Sequence, residues 1–176
     1  MQLKTDANAV IDTADNCQTK GLVLVVGLGN ILLKDEGVGV HVAEKLTQLV
    51  LPENVEIIDG GTAGLDILLL HEGVAKLVVI DAMRTGAKPG TVYKARFKAE
   101  EREKLEMIFG QSLESKISLH QAGLIDALAA AEKLDRAPEE TVIIGVEPGE
   151  CDCGLELTEP VEKIIPKIIK KVLEEI

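Results

Sequence analysis

The sequence predicts an α/β fold, a three-layer sandwich with a mostly parallel, twisted sheet of about five strands and helices on both faces. Three observations predict it. Residues 23–26 and 77–80 are unbroken aliphatic runs, of the kind a parallel sheet buries on both sides. Such runs alternate with stretches whose apolar residues recur at helical spacing. Turn residues such as Gly27-Leu28-Gly29-Asn30 and Asp59-Gly60-Gly61-Thr62 stand where a strand would end.

Each element follows from its own residues. Residues 1–20 are polar, carry neither hydrophobic period and read as a flexible extension ahead of a single domain at 21–176. Residues 21–26 form the first strand. The helix behind it carries Val38, Val42, Leu46, Leu49 and Val50 on one side, until Pro52 and Asn54 break it. A second strand spans 55–59. Residues 65–71 read as a short apolar helix with Gly73 as its C-terminal cap. The third strand, 77–80, stops at Asp81. Thr85-Gly86 and Pro89-Gly90 then turn the chain into an antiparallel edge strand at 91–97. Residues 98–116 are charged and read as a surface excursion. A helix follows, running through Leu134 with Leu124, Ala127, Leu128 and Ala131 inward. The last strand spans 141–147, and an amphipathic helix over 160–176 closes the chain on Ile164, Ile165, Ile168, Ile169 and Val172, with Pro166 near its first turn.

Composition narrows the function. The chain has 176 residues, enough for one core, and a net charge of −11, which disfavours nucleic acid and anionic membranes as partners. Aromatic residues make up 2%, too few for a base-stacking surface. No apolar run reaches membrane-spanning length. Cys17, Cys151 and Cys153 make no disulfide framework, and no secretory segment precedes them, so a cytoplasmic setting is expected. Cys151-Asp152-Cys153 lacks the second ligand pair of a structural zinc site and reads as loop thiols.

Three groups fall where chemistry gathers in an α/β sheet, past the carboxyl ends of strands. They are Glu36 after the first strand, Asp81 at the end of the third and His120 at the start of a later helix. Two carboxylates and an imidazole make a workable shell for a divalent transition metal, and a helix N-terminus favours the neutral imidazole that a ligand must be. Each also has an ordinary structural reading: Glu36 as complement to a helix dipole, Asp81 as a turn cap and His120 as a helix cap. Asp59 competes with Asp81, although Gly60 and Gly61 favour a turn role for it. Asp35 competes with Glu36 and is expected to face away from it. His41 and His71 lie in helical stretches and read as surface or satisfied histidines, and Arg84 and Lys88 as exposed charges within reach of an acidic peptide end. The Gly27-Leu28-Gly29 turn is no dinucleotide fingerprint, because Leu32 stands where the third glycine belongs. A phosphate-binding loop and a nucleophile elbow are both absent.

Taken together, residues 27–40 (GLGNILLKDEGVGV), the DGGT segment, VVIDAMRTGAKPG, SLHQAGL and the later GVEP resemble the endopeptidases that mature nickel-iron hydrogenases. The resemblance runs from Leu22 to the end and covers neither the polar start nor Cys151-Asp152-Cys153. It implies an α/β sandwich and removal of a C-terminal extension from the hydrogenase large-subunit precursor after nickel insertion. It also implies a metal-contacting trio that maps onto Glu36, Asp81 and His120, the same three that position in the chain singles out.

These residues are therefore expected to be both catalytic and metal-contacting. The nickel would be carried by the precursor, or another divalent ion would occupy the free protein. The metal would polarise the scissile carbonyl or acidify a bound water, with a carboxylate as general base. Within the enzyme class the alternative is an aspartic-type hydrolysis in which nickel only licenses binding. Outside it stands a non-catalytic nickel checkpoint or chaperone. A monomer suffices for a one-to-one encounter with the large subunit.

Overall fold

In the computed structural model, residues 21–62, 71–101 and 119–176 are described. The polar extension, the 65–71 helix apart from His71 and most of the 98–116 excursion lie outside these residues. Five strands make one sheet in the order β2-β1-β3-β5-β4. They are β1 (Leu22–Leu28), β2 (Val55–Gly61), β3 (Val74–Ala82), β4 (Val92–Lys98) and β5 (Glu140–Val146). All pairings are parallel except β4 with β5, which puts the expected antiparallel strand on the edge.

Alternation along the buried strands feeds two cores. Val25, Val78, Ile80, Val142 and Ile144 point to the face covered by α1 (Val38–Leu46), α3 (Glu159–Glu162) and α4 (Ile165–Leu173). Leu24, Val26, Leu77, Val79 and Ile143 point to the other face, under α2 (Leu119–Lys133). That is the expected three-layer α/β sandwich. The α2 stripe is the one its period announced, since Leu124, Ala127, Leu128 and Ala131 are all buried. Among the described residues, no helix is long and apolar enough to cross a membrane.

Two helices depart from expectation. The first ends at Leu46, and Leu49 and Val50 are exposed rather than inward. The Thr47 hydroxyl bonds the Glu44 carbonyl at 2.7 Å, and the amides of Gln48 and Leu49 reach only three residues back. The chain must leave the sheet there to reach Val55, which pairs with Val23. The closing helix is two pieces rather than one. Pro166 has no N–H to donate to the carbonyl four residues before it, so α3 ends at Glu162, Lys163 and Ile164 form a turn in which the Ile164 amide reaches only Val161, and α4 starts at Ile165 with Pro166 in its first turn. Ile165, Ile168 and Val172 still turn inward, with Ile164 and Ile169 packed at their margin.

One contact decides how α1 meets the sheet. A Cβ on Gly39 would sit inside the van der Waals shell of the Ile80 and Leu28 carbonyl oxygens, and a Cβ on Gly27 would strike the Gly39 carbonyl. Only glycine at these positions lets the first turn of α1 rest directly on the ends of β1 and β3. Gly39→Ala is expected to cost about 1–3 kcal/mol, since neither backbone oxygen can give way. For a chain of this size that lowers the melting temperature by roughly 2–4 °C per kcal/mol, as a thermal unfolding curve would show.

Candidate functional site

The order β2-β1-β3 means that the chain leaves β1 toward one side of the sheet and later returns on the other. The carboxyl ends of β1 and β3 therefore flank a topological switch point, where an open α/β sheet leaves a crevice. Glu36 and Asp81 both belong to that place. Glu36 lies in a short 3-10 turn, Lys34–Gly37, that leads into α1 and packs against β3. Asp81 is the next-to-last residue of β3, paired with Gly145 and only 3% exposed.

His120 enters from the opposite layer. It falls in the first turn of α2, at the helix start where it was expected, and its side chain lies outside the described residues. At about 1.5 Å per residue a 15-residue helix runs about 22 Å, close to the length of a seven-residue strand. Because α2 ends at Lys133, shortly before β5 begins, its first turn points back toward the carboxyl edge of the sheet. Among the described residues no group of three His, Cys, Asp or Glu side chains is arranged to hold a metal.

Asp35, the neighbour of Glu36, does something different. It is fully buried and turned away, as expected, toward the 149–158 segment. Its two oxygens accept bonds from the amides of Gly149 (2.7 Å), Glu150 (3.1 Å) and Thr158 (2.7 Å) and from the Thr158 hydroxyl (2.6 Å). The turn that carries Glu36 is thereby tied to the segment after β5. Three backbone bonds add to the tie: the Gly154 amide donates to the Leu32 carbonyl, the Lys34 amide to the Gly154 carbonyl and the Asp35 amide to the Glu150 carbonyl, at 3.0, 2.9 and 3.1 Å. No signal in the sequence separates this buried anchor from its partly exposed neighbour, because both are acids in one turn.

Glu147 is a second anchor that sequence reasoning missed, although it stands in the GVEP segment. It is buried and receives the amides of Thr85 and Gly86 at 2.8 and 3.1 Å and the Thr85 hydroxyl at 2.7 Å. The loop beyond Asp81 is thus held in place. Burial alone would push the Glu147 pKa up, but the Thr85 hydroxyl and the Thr85, Gly86 and Ala87 amides outweigh it and hold the value below the ordinary carboxylate range. A depressed folded-state pKa adds stability that is complete above the unfolded carboxylate value of about 4.3 and is lost as pH falls through the folded value. Glu147→Gln is therefore expected to flatten the loss of stability on acidification below about pH 4.5, read from urea unfolding at a series of pH values.

The remaining candidates sort themselves by contact. Asp59 is exposed, and its Oδ1 accepts the Gly61 amide at 2.9 Å, the turn role expected of it. His71 is not helical, and its Nε2 meets Glu56 at 3.1 Å. His41 is half-buried rather than fully exposed, and it is not the satisfied histidine expected, since its Nε2 is buried with no hydrogen-bond partner among the described residues. Arg84 and Lys88 are exposed, as expected. Cys153 is exposed but Cys151 is only half so. Burial pushes the Cys151 thiol pKa up, and a bond from Arg84 draws it back in part, while the charges of Glu36 and Asp35 add to the rise. Cys151 thus borders the Glu36 turn and stays protonated at neutral pH.

Residues 40–175 match the HycI family, described as hydrogenase maturation protease. The chain is 37% identical over 153 residues to the hydrogenase 2 maturation protease of Escherichia coli, covering 86% of this chain and 88% of that one. With the hydrogenase expression/formation protein HupD of Bradyrhizobium diazoefficiens it shares 39% identity over 149 residues, which is 83% of this chain and 73% of that protein. Among solved structures, the hydrogenase maturating endopeptidase HybD from E. coli superimposes with a TM-score of 0.75 at 36% identity, covering 88% of this chain and 91% of that one. The NiFe hydrogenase maturation protease HybD from Thermococcus kodakarensis does so with a TM-score of 0.64 at 31% identity, covering 87% and 97%.

Proposed function

The chain belongs to the hydrogenase maturation protease family, and from that membership we propose that it is an endopeptidase that removes the C-terminal extension of a nickel-iron hydrogenase large-subunit precursor once nickel is seated. The observation that carries the reading is the pair of carboxylates, Glu36 and Asp81, at the switch point between β1 and β3. His120, in the helix that covers the other face, completes the trio. Oxygen donors with an imidazole suit a divalent transition ion such as nickel.

In this reading Glu36, Asp81 and His120 contact the nickel that the precursor carries, so that only a loaded precursor is held for cutting. The ion supplies Lewis-acid activation of the scissile carbonyl or of a water. A carboxylate of the pair accepts a proton from the attacking water as its oxygen bonds to the carbonyl carbon. The carbon–nitrogen bond then breaks, and the proton passes to the departing amine. The protein works as a monomer in the cytoplasm, where its thiols stay reduced.

The test is to mix the purified protein with nickel-loaded and nickel-free precursor and follow the precursor's mass. Loss of a C-terminal peptide from the loaded form alone is the expected result. Loss from neither form would overturn the proteolytic reading and leave a checkpoint that inspects nickel without cutting.

A further inference from the structure

Ile31, Leu32 and Leu155 are 45%, 60% and 64% exposed, large aliphatic side chains standing in water on two segments of different origin. A single exposed leucine needs no explanation. These three are different because the backbone beneath them is braced. Leu33 and Gly154 form a parallel bridge, which sets Leu32 and Leu155 each one residue from the paired positions. Gly37 is so close to Ile31 that an added Cβ would lie 2.8 Å from its Cα, and Gly29, at a φ of +134°, is pressed against the Glu36 carbonyl. Beneath both segments lies the buried Asp35 anchor, and the Lys34 ammonium reaches Glu150 and Asp152 across the gap. Aliphatic side chains held out on a rigid base, with no freedom to fold back onto the core, are the mark of a binding surface.

We propose that this rim, Ile31, Leu32 and Leu155, is where the large-subunit precursor seats its folded body beside the site, an inference that rests on the proteolytic reading above. Continuity selects the occupant: Leu32 lies two residues before the 3-10 turn that carries Glu36, so a body that presents a peptide to Glu36 and Asp81 comes to lie beside the rim. Burying aliphatic side chains on association is favourable, and a few well-placed residues ordinarily carry most of an interface's affinity. A second copy of the chain on the same rim would close the crevice that a substrate must enter. The flanking carboxylates of Glu150 and Asp152, with side chains 59% and 72% exposed, ask for a precursor face that is aliphatic at its centre and basic at its border. Leu155 also lines a groove between α1 and α4 with His41, Leu157 and Ile165, which extends the contact away from the crevice. Val50 and Leu134 are as exposed, but they lie where the chain turns into β2 and β5, at the other edge of the sheet.

The experiment compares Leu32→Asn/Leu155→Asn with Val50→Asn/Leu134→Asn, each titrated against nickel-loaded precursor by calorimetry and assayed for cleavage. The rim variant is expected to weaken binding at least tenfold and to raise KM in step with kcat held within twofold, while the control variant matches the wild type. Equal affinity of rim variant and wild type would overturn the proposal. A wild-type dimer in sedimentation that the rim variant dissociates would also overturn it, in favour of a second copy. Binding that depends on the rim but yields no cleaved peptide would leave the docking surface standing and sink the proteolytic reading. A wild type that does not bind the precursor sinks both. Leu155→Ser alone replaces the double variant should the latter melt early.

Discussion

Replacing Glu36 by Gln or Asp81 by Asn is expected to slow cleavage of the nickel-loaded precursor by about 10²–10⁴-fold, the range ordinarily lost with a positioned acid or base. Both changes keep the shape of the side chain and remove its charge. Glu36 is half-buried at the mouth of α1, so its loss is expected to shift the melting temperature by no more than about 2 °C. The pair then separates two roles. A variant that no longer retains the loaded precursor has lost a nickel contact, whereas one that retains it without cutting has lost a proton acceptor. Undiminished cleavage by both variants would remove the switch-point carboxylates from the chemistry altogether.

Asp35→Ala, one residue earlier, is expected to do the reverse and unfold the protein before it disables it. The substitution strands three amides and a hydroxyl that now converge on one buried carboxylate. Unsatisfied buried donors cost about 1–3 kcal/mol each, less than additively once water enters, so a loss of about 3 kcal/mol or more is expected. At this chain length that lowers the melting temperature by roughly 6–12 °C. Because the same bonds hold 149–158 against the Glu36 turn, the surviving folded fraction should bind precursor more weakly. Asp152→Ala is the control: its carboxylate is largely exposed, and its ion pair with Lys34 is of the kind that contributes little. A melting temperature for Asp35→Ala equal to that of the control would refute the anchor.

Much of this architecture could be read directly. The aliphatic runs of β1 and β3 have no period because they are buried on both faces, and that absence itself announced a parallel sheet. The stripe through Leu124, Leu128 and Ala131 announced α2, and the alternation of Val92, Lys94 and Arg96 announced an edge strand. Errors came where local pattern outran its support. Leu49 and Val50 continue the α1 period numerically, but no sheet remains beneath them, and an apolar residue without a neighbour stays in water. The 160–176 stripe is real, although one missing amide at Pro166 cuts the helix beneath it.

The site divides in the same way. Sequence by itself determined which acids follow which strands, and strand order alone then set Glu36 and Asp81 on one crevice. What only the tertiary structure decided is the division of labour between adjacent acids. Asp35 and Glu36 differ by one methylene and one position. Yet Asp35 finds four donors on a segment more than a hundred residues away, while Glu36 stays half-buried in the turn that leads into α1. The physical reason is that a periodicity or a cap is a property of neighbours in the chain. A buried carboxylate's role is set by which distant amides the packed core brings within hydrogen-bonding distance.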